Sequence, residues 1–515
     1  MSSEFGMRCL ALLLLFCVGL LQGGAIQGVV IEHAAGRPLS RSSVFLTPVT
    51  ATAKDAASAA AKPMAVRSGA SGEFSFERVP SGVNVLTASR EGYFTGACGQ
   101  RLPTGRGAPF RIDEETRLFA EIRMRHKGAI TGRVLDENGV GTPHVLVLAY
   151  GARLPLRSAG QGTSDDRGVY RIPGLEPGKY WVRSAPYSLP EGGAWLPAFA
   201  PQGHEVRDAR LFAVTADADT GFADVSPIPG SLYQVSGPVT CNRPGEIIVA
   251  LSSDTGQQIR RTYCSPTGPG DFQFGGLATG SYELSATSVD LSGAAFVEFT
   301  AGGDIRIDLP LGPMSTVATT WHFLGGERSP TTGSILIRRQ NLSSSGDVSE
   351  IQGTAKTALA PGYWEVRAQA PQGHFIRSVD TARGGRKRIG ATSDWFEVYV
   401  PPNSATAIRI TVGTNPMSIE GKVLTDGKPV GGVPVFLWPM LESARRALGG
   451  APQTLSAADG TYRFDRLPPG SYKPLATFDL SELDEDVVEV SQARAVSPGT
   501  GGSVTVDLPL WTAPW

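Results

Sequence analysis

Apolar and polar residues alternate in short runs along most of the chain, and this period of two predicts β-strands. Near the C-terminal end, Tyr462 and Phe464 alternate with polar residues, so a strand with one buried aromatic face is expected there. The dipeptide Pro469-Gly470 then predicts a chain reversal in which glycine takes a positive φ. Tyr472 opens the next strand, where a tyrosine buries its ring and hydrogen-bonds the backbone through its hydroxyl.

The same unit recurs along the chain. Its turn glycine appears at Gly82, Gly178, Gly280, Gly362 and Gly470. A second marker, an aliphatic residue followed by x-Gly-x-Val, opens the units at Gly28, Gly132, Gly237 and Gly421, with a degenerate copy at 317–321. The residue two positions after the turn glycine is tyrosine in three copies, Trp364 in the fourth and Asn84 in the first. Two independent markers therefore predict five repeats.

Each repeat contains six or seven short strands separated by turn residues, which predicts an all-β chain, a tandem array of five Ig-like β-sandwich domains. The predicted boundaries are 26–127 (repeat 1), 128–230 (repeat 2), 231–312 (repeat 3), 313–414 (repeat 4) and 415–515 (repeat 5). Helical periodicity is almost absent, and residues 441–448 are expected to form one or two turns at most.

Residues 1–25 have the pattern of a secretory signal peptide. Arg8 precedes an apolar run from Cys9 to Leu21, and small residues lead to a cleavage point after Ala25. The run is shorter than the roughly 20 residues that a membrane-spanning helix requires. A secreted, periplasmic or cell-surface protein without a transmembrane segment is therefore expected once the peptide is removed. The formal net charge of −1 gives no basic field that would favour nucleic acid.

Three cysteines remain after residue 25. Cys241 and Cys264 are near in sequence, and in a secreted chain they are expected to form a disulfide. Cys98 is then left over, and whether it pairs between chains stays open. Three cysteines are too few to stabilise a chain of this length by disulfides. Its stability is therefore expected to come from hydrophobic cores.

The sequence contains no recognisable catalytic motif. None of the six histidines has glutamate three residues later, and neither His-Glu-x-x-His nor Gly-x-Ser-x-Gly occurs. We therefore expect no peptidase site, no metal, no cofactor and no enzymatic activity.

Three aromatic residues stand outside the strand pattern of repeat 2. Tyr187, Trp195 and Phe199 lie among prolines and glycines, where their burial is not evident from the sequence. Aromatic rings on loops bind sugars by stacking, so these residues are the candidate ligand-binding site. The alternative is that they cap the sandwich or fill the junction to repeat 3.

The repeats also resemble a known family. The pattern Ile-x-Gly-x-Val, then Pro-x-x-x-Val-x-Val, then Asp-x-x-Gly-x-Tyr-x-Phe-x-x-Leu-x-Pro-Gly-x-Tyr is similar to that of the carboxypeptidase regulatory-like domain. The resemblance is strongest in repeats 5 and 2, recognisable in repeats 1 and 3, and weak in repeat 4. It implies a transthyretin-like sandwich related to collagen-adhesin B-type and starch-binding-like modules, in a secreted bacterial protein.

Together these features predict a non-catalytic secreted adhesive or scaffolding protein. A carbohydrate-binding extracellular protein is the first alternative, and an accessory part of a carboxypeptidase-type hydrolase system is the third. The expected partner is an extracellular polysaccharide or a cell-surface protein.

Overall fold

The computed structural model describes residues 23–48, 63–152, 156–189, 192–253, 256–325, 333–339, 348–381, 395–499 and 501–513. Most of the predicted signal peptide, residues 1–22, lies outside the described residues. Gly24 and Ala25 belong to the first strand, so this strand starts two residues before the predicted cleavage point. The chain is nearly all β, as the alternation of apolar and polar residues predicted.

In the described part of the first three repeats, the elements are strands and one 3-10 turn at Val206–Asp208. The strands of repeat 1 are β1 (Gly24–Glu32), β2 (Ser43–Pro48), β3 (Met64–Arg67), β4 (Glu73–Val79), β5 (Gly82–Ser89), β6 (Gly96–Ala97), β7 (Phe110–Ile112) and β8 (Arg117–Met124). Those of repeat 2 are β9 (Gly128–Arg133), β10 (Leu146–Gly151), β11 (Ser158–Thr163), β12 (Val169–Leu175), β13 (Gly178–Ser184), β14 (Tyr187–Ser188), β15 (Ala194–Leu196), β16 (Phe212–Val214), β17 (Asp219–Thr220) and β18 (Ile228–Gly230). Those of repeat 3 are β19 (Tyr233–Thr240), β20 (Gly245–Ser252), β21 (Gln257–Cys264), β22 (Gly270–Leu277), β23 (Gly280–Ser288), β24 (Ala294–Ala301), β25 (Ile305–Arg306) and β26 (Leu309–Pro310).

The last two repeats continue the pattern, and two short helices interrupt repeat 5. The strands of repeat 4 are β27 (Ser315–Phe323), β28 (Ser334–Arg339), β29 (Ser349–Gln352), β30 (Lys356–Leu359), β31 (Gly362–Gln369), β32 (His374–Thr381), β33 (Phe396–Val400) and β34 (Ala405–Thr414). The elements of repeat 5 are β35 (Met417–Thr425), β36 (Lys428–Pro429), β37 (Pro434–Pro439), α1 (Glu442–Leu448), β38 (Gln453–Leu455), β39 (Thr461–Leu467), β40 (Tyr472–Ala476), α2 (Glu485–Val490), β41 (Ser503–Thr505) and β42 (Leu508–Pro509).

Each repeat folds as a sandwich of two sheets, and repeat 2 has a small third sheet in addition. In the first sheet the opening strand is central: β35, for example, pairs antiparallel with β39 and parallel with β41 and β42. The second sheet contains the strand after the turn glycine, paired with an earlier strand of the same repeat. In repeat 3 these are β23 and β20, in the order β21-β20-β23-β24. The inner faces of the two sheets enclose the core, as expected for a β-sandwich.

Within the described residues, one large hydrophobic cluster lies in each repeat. Fully buried side chains at their centres include Phe76, Tyr170, Phe274, Val366 and Tyr472. The clusters of repeats 1, 2 and 3 contain no residue of another repeat. The prediction of tandem β-sandwich units is confirmed.

The glycine of the opening-strand marker lies against the last segment of the same repeat, here called the closing strand. The two backbones approach so closely that the position requires glycine. A Cβ atom on Gly421 would lie 1.9 Å from the carbonyl oxygen of Val506. At the corresponding glycines of repeats 1, 2 and 3, this atom would lie 2.0 Å from the oxygen of Ala120, 2.3 Å from that of Ala223 and 1.9 Å from that of Ile307. No side chain fits at these distances, so these four positions require glycine.

We call the residue two positions after the turn glycine the corner residue. In four of the five repeats its side chain hydrogen-bonds the carbonyl oxygen four positions earlier. The pairs are Tyr180 with Glu176 (2.9 Å), Tyr282 with Ala278 (2.9 Å), Trp364 with Ala360 (2.9 Å) and Tyr472 with Pro468 (2.5 Å). In repeat 1, the shorter side chain of Asn84 reaches only the oxygen of Gly82, at 3.2 Å. Tyrosine and tryptophan can therefore both make this bond, which recurs in repeats 2 to 5.

The expected positive φ at Gly470 is wrong. Its φ lies outside the left-handed region, whereas Arg466, four residues earlier, has a φ of 61°. The register between β35 and β39 shifts beside this residue, which marks a β-bulge. Gly174 and Gly276 occupy the same position in repeats 2 and 3 with φ of 79° and 75°. The chain thus bends before the prolines rather than at the glycine.

Candidate functional site

Two of the three candidate aromatic residues lie together on a small separate sheet of repeat 2. This sheet has the order β14-β15-β18, and Tyr187 pairs with Trp195 across its first two strands. The ring centroids are 6.5 Å apart, with the planes tilted by 47°. Both rings are half-buried, and Tyr187 packs against the core of repeat 2.

Phe199 does not belong to this surface. Its side chain is 1% exposed and packs in a small cluster with Tyr150 and Leu156. The guanidinium carbon of Arg183 lies 5.2 Å from the centroid of its ring. A sugar cannot stack on a covered ring, so the three-residue platform expected from the sequence is reduced to Tyr187 and Trp195. The turn residues around Phe199 gave no periodic signal that would have shown its burial.

A charged cluster joins repeats 1 and 2. His126 lies 2.9 Å from the carboxylate of Glu32, and its ring stacks on Tyr93 with centroids 3.9 Å apart. The hydrogen bond from Arg37 to Glu32 lowers the pKa of that carboxyl group. The backbone N–H of His126 also donates to the carboxylate of Asp217 in repeat 2, at 2.7 Å. These contacts position the second repeat against the first.

Among the described residues, no group of three or more histidine, cysteine, aspartate or glutamate side chains is placed to hold a metal ion. In the same part of the chain, no helix is long and apolar enough to span a membrane.

Two clefts open on repeat 1. One has a volume of about 70 Å³ and is lined by His33, Phe94 and Arg125, and the other has about 50 Å³ and lies beside Asn84. Binding pockets for small organic molecules have volumes of about 300–1,000 Å³. Neither cleft can therefore enclose such a ligand.

Cys241 and Cys264 form a disulfide in the structure, with Cα atoms 6.2 Å apart. In repeat 5, Ser456 takes the place of Cys264 just before the turn. Its hydroxyl donates to the carbonyl oxygen of Val430 at 2.8 Å and accepts from the N–H of Val433 at 2.9 Å. The disulfide thus replaces a serine-centred pair of hydrogen bonds. Cys98 is buried, with 2% exposure.

Repeats 3 and 4 meet through aromatic rings. Phe296 on β24 lies 6.0 Å from the ring of Tyr363 and 6.1 Å from that of Tyr399, measured between centroids. The hydroxyl of Tyr363 donates to the carboxylate of Glu298 at 3.2 Å. Burial, and then the charge of this carboxylate, raise the pKa of Tyr363. Packed aromatic rings with a polar rim are typical of a stable protein interface.

Helix α1 of repeat 5 packs against repeat 4. Ala447 is part of the hydrophobic core of repeat 4 and is 8% exposed. The guanidinium of Arg367 donates to the carbonyl oxygen of Leu448 at 2.9 Å. Gly449 ends the helix with a φ of 71°, and a Cβ there would lie 2.1 Å from Nε of Arg367. The short helix therefore serves as an interdomain contact, a role that its sequence did not indicate.

Repeat 5 also reaches back to the start of the chain. Leu102, in a loop of repeat 1, packs on the outer apolar cluster of repeat 5 beside Phe436 and Leu483. The backbone N–H of Arg106 donates to the carbonyl oxygen of Phe478 at 3.0 Å. An exposed ion pair of 2.9 Å joins Lys179 of repeat 2 to Asp486 of repeat 5. The last repeat thus contacts repeats 1, 2 and 4.

No family model matches the chain, and no curated protein matches it. Several solved structures of bacterial surface proteins are similar to it. The minor pilin of Streptococcus agalactiae is 14% identical, with 40% of this chain and 95% of that chain covered and a TM-score of 0.25. The major pilin SpaD of Corynebacterium diphtheriae is 9% identical, with coverages of 56% and 97% and a TM-score of 0.18. The pilus adhesin SpaC of Lactobacillus rhamnosus GG is 12% identical, with coverages of 73% and 55% and a TM-score of 0.17. At TM-scores this low, these structures determine neither the function nor the domain arrangement of the chain.

Proposed function

We propose that this is a non-catalytic scaffolding or adhesive protein, secreted by a bacterium or displayed on its surface, whose repeats are held in a fixed arrangement. The observation that carries the proposal is the contact of repeat 5 with both repeat 1 and repeat 4. Leu102 and Ala447 bury apolar surface at these two contacts, which a flexible string of domains would leave in water. A fixed array presents several surfaces at set distances, as a scaffold requires.

We also propose the domain boundaries 26–127, 128–230, 231–312, 313–414 and 415–515, and the assignment of the units to the carboxypeptidase regulatory-like domain. One core in each interval, the marker glycine under the closing strand and the corner hydrogen bond support both.

An adhesion assay tests the function. Beads coated with the full chain are to be washed under flow over intact cells of the source bacterium and over purified cell-wall sheets. Retention on either surface, lost when the coated protein is first denatured by heat, is the expected result. The proposal fails if native beads are retained no better than denatured ones on both surfaces.

Carbohydrate binding is the second candidate, and the pairing of Tyr187 with Trp195 on one small sheet supports it. Trp195→Ala is expected to abolish retention on an insoluble glycan without melting repeat 2. Phe119→Ala, which removes an exposed ring of repeat 1, is the matched control. If Trp195→Ala melts repeat 2, the ring belongs to the fold and this candidate is lost.

A further inference from the structure

The edge strand β21 of repeat 3 differs from its counterparts in the other repeats. It is the outermost strand of the second sheet, and within the described residues it pairs with β20 alone. Its eight residues compare with four in β3, six in β11, four in β29 and three in β38, which hold the same position. An edge this long offers a row of backbone N–H and C=O groups to an added strand.

The outward side chains of β21 combine apolar and cationic groups. Ile259 is 52% exposed and Tyr263 is 65% exposed, and Arg261 lies between them on the same face. The Arg261 guanidinium bonds the carboxylate of Glu246 at 2.8 Å, which holds it along the outer face of the sheet. Large exposed side chains beside an unpaired backbone edge are typical of a recognition strand.

The strand is also held in position before any partner arrives. Its last residue, Cys264, is tied by the disulfide to Cys241, which directly follows the opening strand β19. Arg260 lies on the other face of β21, with its guanidinium carbon 5.4 Å from the ring centroid of Phe274. A rigid edge loses little conformational entropy on binding.

The charge of β21 indicates what kind of strand it accepts. Its sequence holds two arginines and no acidic residue. The ion pair with Glu246 on β20 offsets the charge of Arg261, whereas Arg260 forms no ion pair with a carboxylate of the described residues. A symmetric antiparallel pairing with a second copy, centred on the strand, would set either Arg260 or Arg261 opposite its own counterpart, and like charges directly opposite each other destabilise a sheet. A strand with acidic residues at these two positions instead places opposite charges together on both faces. The edge therefore disfavours a second copy and favours an acidic partner.

We propose that β21 is a docking site for an extended acidic segment of a partner protein, which adds to repeat 3 as a further antiparallel strand. Backbone hydrogen bonds along residues 258–262 supply the affinity. Arg260 and Arg261 select two adjacent carboxylates, and Ile259 and Tyr263 cover the apolar side chains that flank them. This proposal rests on the proposed function, because it gives the scaffold a class of partner. Strand β21, however, takes no part in the contacts between repeats from which that function was inferred. Failure of peptide binding therefore leaves the adhesion result unaffected.

The probe is a short fluorescent peptide in which two adjacent glutamates are flanked by alternating valine and threonine. Its binding to the full chain is to be measured by fluorescence polarisation, and amide hydrogen exchange is to be followed with and without peptide. We expect saturable binding and slower exchange within residues 257–264. A peptide with lysines in place of the glutamates, and one N-methylated along its backbone, are expected not to bind.

Charge-swap variants identify the residues. Arg261→Glu is expected to weaken binding of the glutamate peptide roughly tenfold and to gain binding of the lysine peptide. Arg171→Glu is the matched control, since Arg171 is also an exposed strand residue in an ion pair, with Asp219 at 2.9 Å. This variant is expected to bind the glutamate peptide and the lysine peptide as the wild type does.

Three results would overturn the proposal: no binding of the glutamate peptide, equal binding of the N-methylated peptide, or exchange protection that maps outside β21. Sedimentation of the chain alone provides a fourth. A dimer that dissociates on Ile259→Lys would assign the edge to a second copy instead of an acidic partner.

Discussion

The indole N–H of Trp364 donates to the carbonyl oxygen of Ala360 at 2.9 Å, just as the hydroxyl of Tyr472 donates to that of Pro468 at 2.5 Å. The two side chains differ in shape, yet each spans from the start of a strand to the carbonyl group four residues earlier. This bond closes the turn between the two sheets of a repeat, because it satisfies a carbonyl group that the turn would otherwise leave without a donor. Repeat 4 therefore has the same corner as repeat 5, although its sequence matches the repeat pattern only weakly.

Removal of the corner bond is expected to destabilise repeat 5. Tyr472 is fully buried, so Tyr472→Phe leaves the carbonyl of Pro468 without its donor, at a cost of roughly 1–3 kcal/mol. Tyr472→Ala also leaves a cavity and is expected to cost roughly 3–5 kcal/mol. Calorimetry should show one transition lowered more than the others. Tyr282→Phe, at the half-buried corner of repeat 3, is the matched control, with a smaller expected effect because water reaches that corner. Equal losses in both variants would contradict this account.

Thiol labelling tests the disulfide. We expect no labelling of the native secreted protein, because Cys98 is only 2% exposed and the other two cysteines are bonded. Denaturant without reductant should expose one thiol, and denaturant with reductant three. Reduction is expected to destabilise repeat 3 by roughly 3 kcal/mol, the value for a loop of this length in the chain-entropy model. Three thiols labelled without reductant would reject the bond.

Disruption of the contact between repeats 1 and 5 should open the molecule. Leu102→Asp replaces an apolar side chain that packs on the cluster around Phe436 and Leu483 with a charged one, which is costly to remove from water. Small-angle X-ray scattering is expected to show a larger radius of gyration with the core of every repeat intact. Lys179→Ala, which removes only an exposed ion pair between repeats 2 and 5, is the control and should leave the profile unchanged. An unchanged profile for Leu102→Asp would mean that the repeats keep their arrangement without this contact.

Alkaline pH should destabilise the protein through its buried tyrosines. Burial raises the pKa values of Tyr170, Tyr462 and Tyr472 above the ordinary value of 10. Above about pH 10 the unfolded chain loses these protons while the native one keeps them, so the free energy of unfolding falls as the pH rises further. Below pH 10 both states are protonated and the contribution is constant. Urea unfolding on either side of pH 10 measures this fall, and Tyr462→Phe should reduce its slope. Identical slopes for the variant and the wild type would contradict the assignment.

The architecture of each repeat followed from the sequence because it obeys local rules. Alternation of apolar and polar residues determines which face of a strand is buried, and the glycine at position 421 marks where the closing strand passes within contact distance. The tyrosine at position 472 showed the corner, since its acceptor lies only four residues away. These interactions span a few residues or a single sheet, and they repeat, so the chain itself provided several independent examples.

Only the tertiary structure decided how the repeats contact one another and which loop aromatics are covered. Leu102 and Phe436 are separated by most of the chain, and no periodic pattern relates the two segments. Phe199 lies among turn residues, where burial depends on what folds over the ring and not on strand alternation. Ala447 reads as one residue of a short helix, yet it completes the core of the preceding repeat. Contacts of this kind form once and depend on the relative placement of whole domains, which a local pattern of residues does not encode.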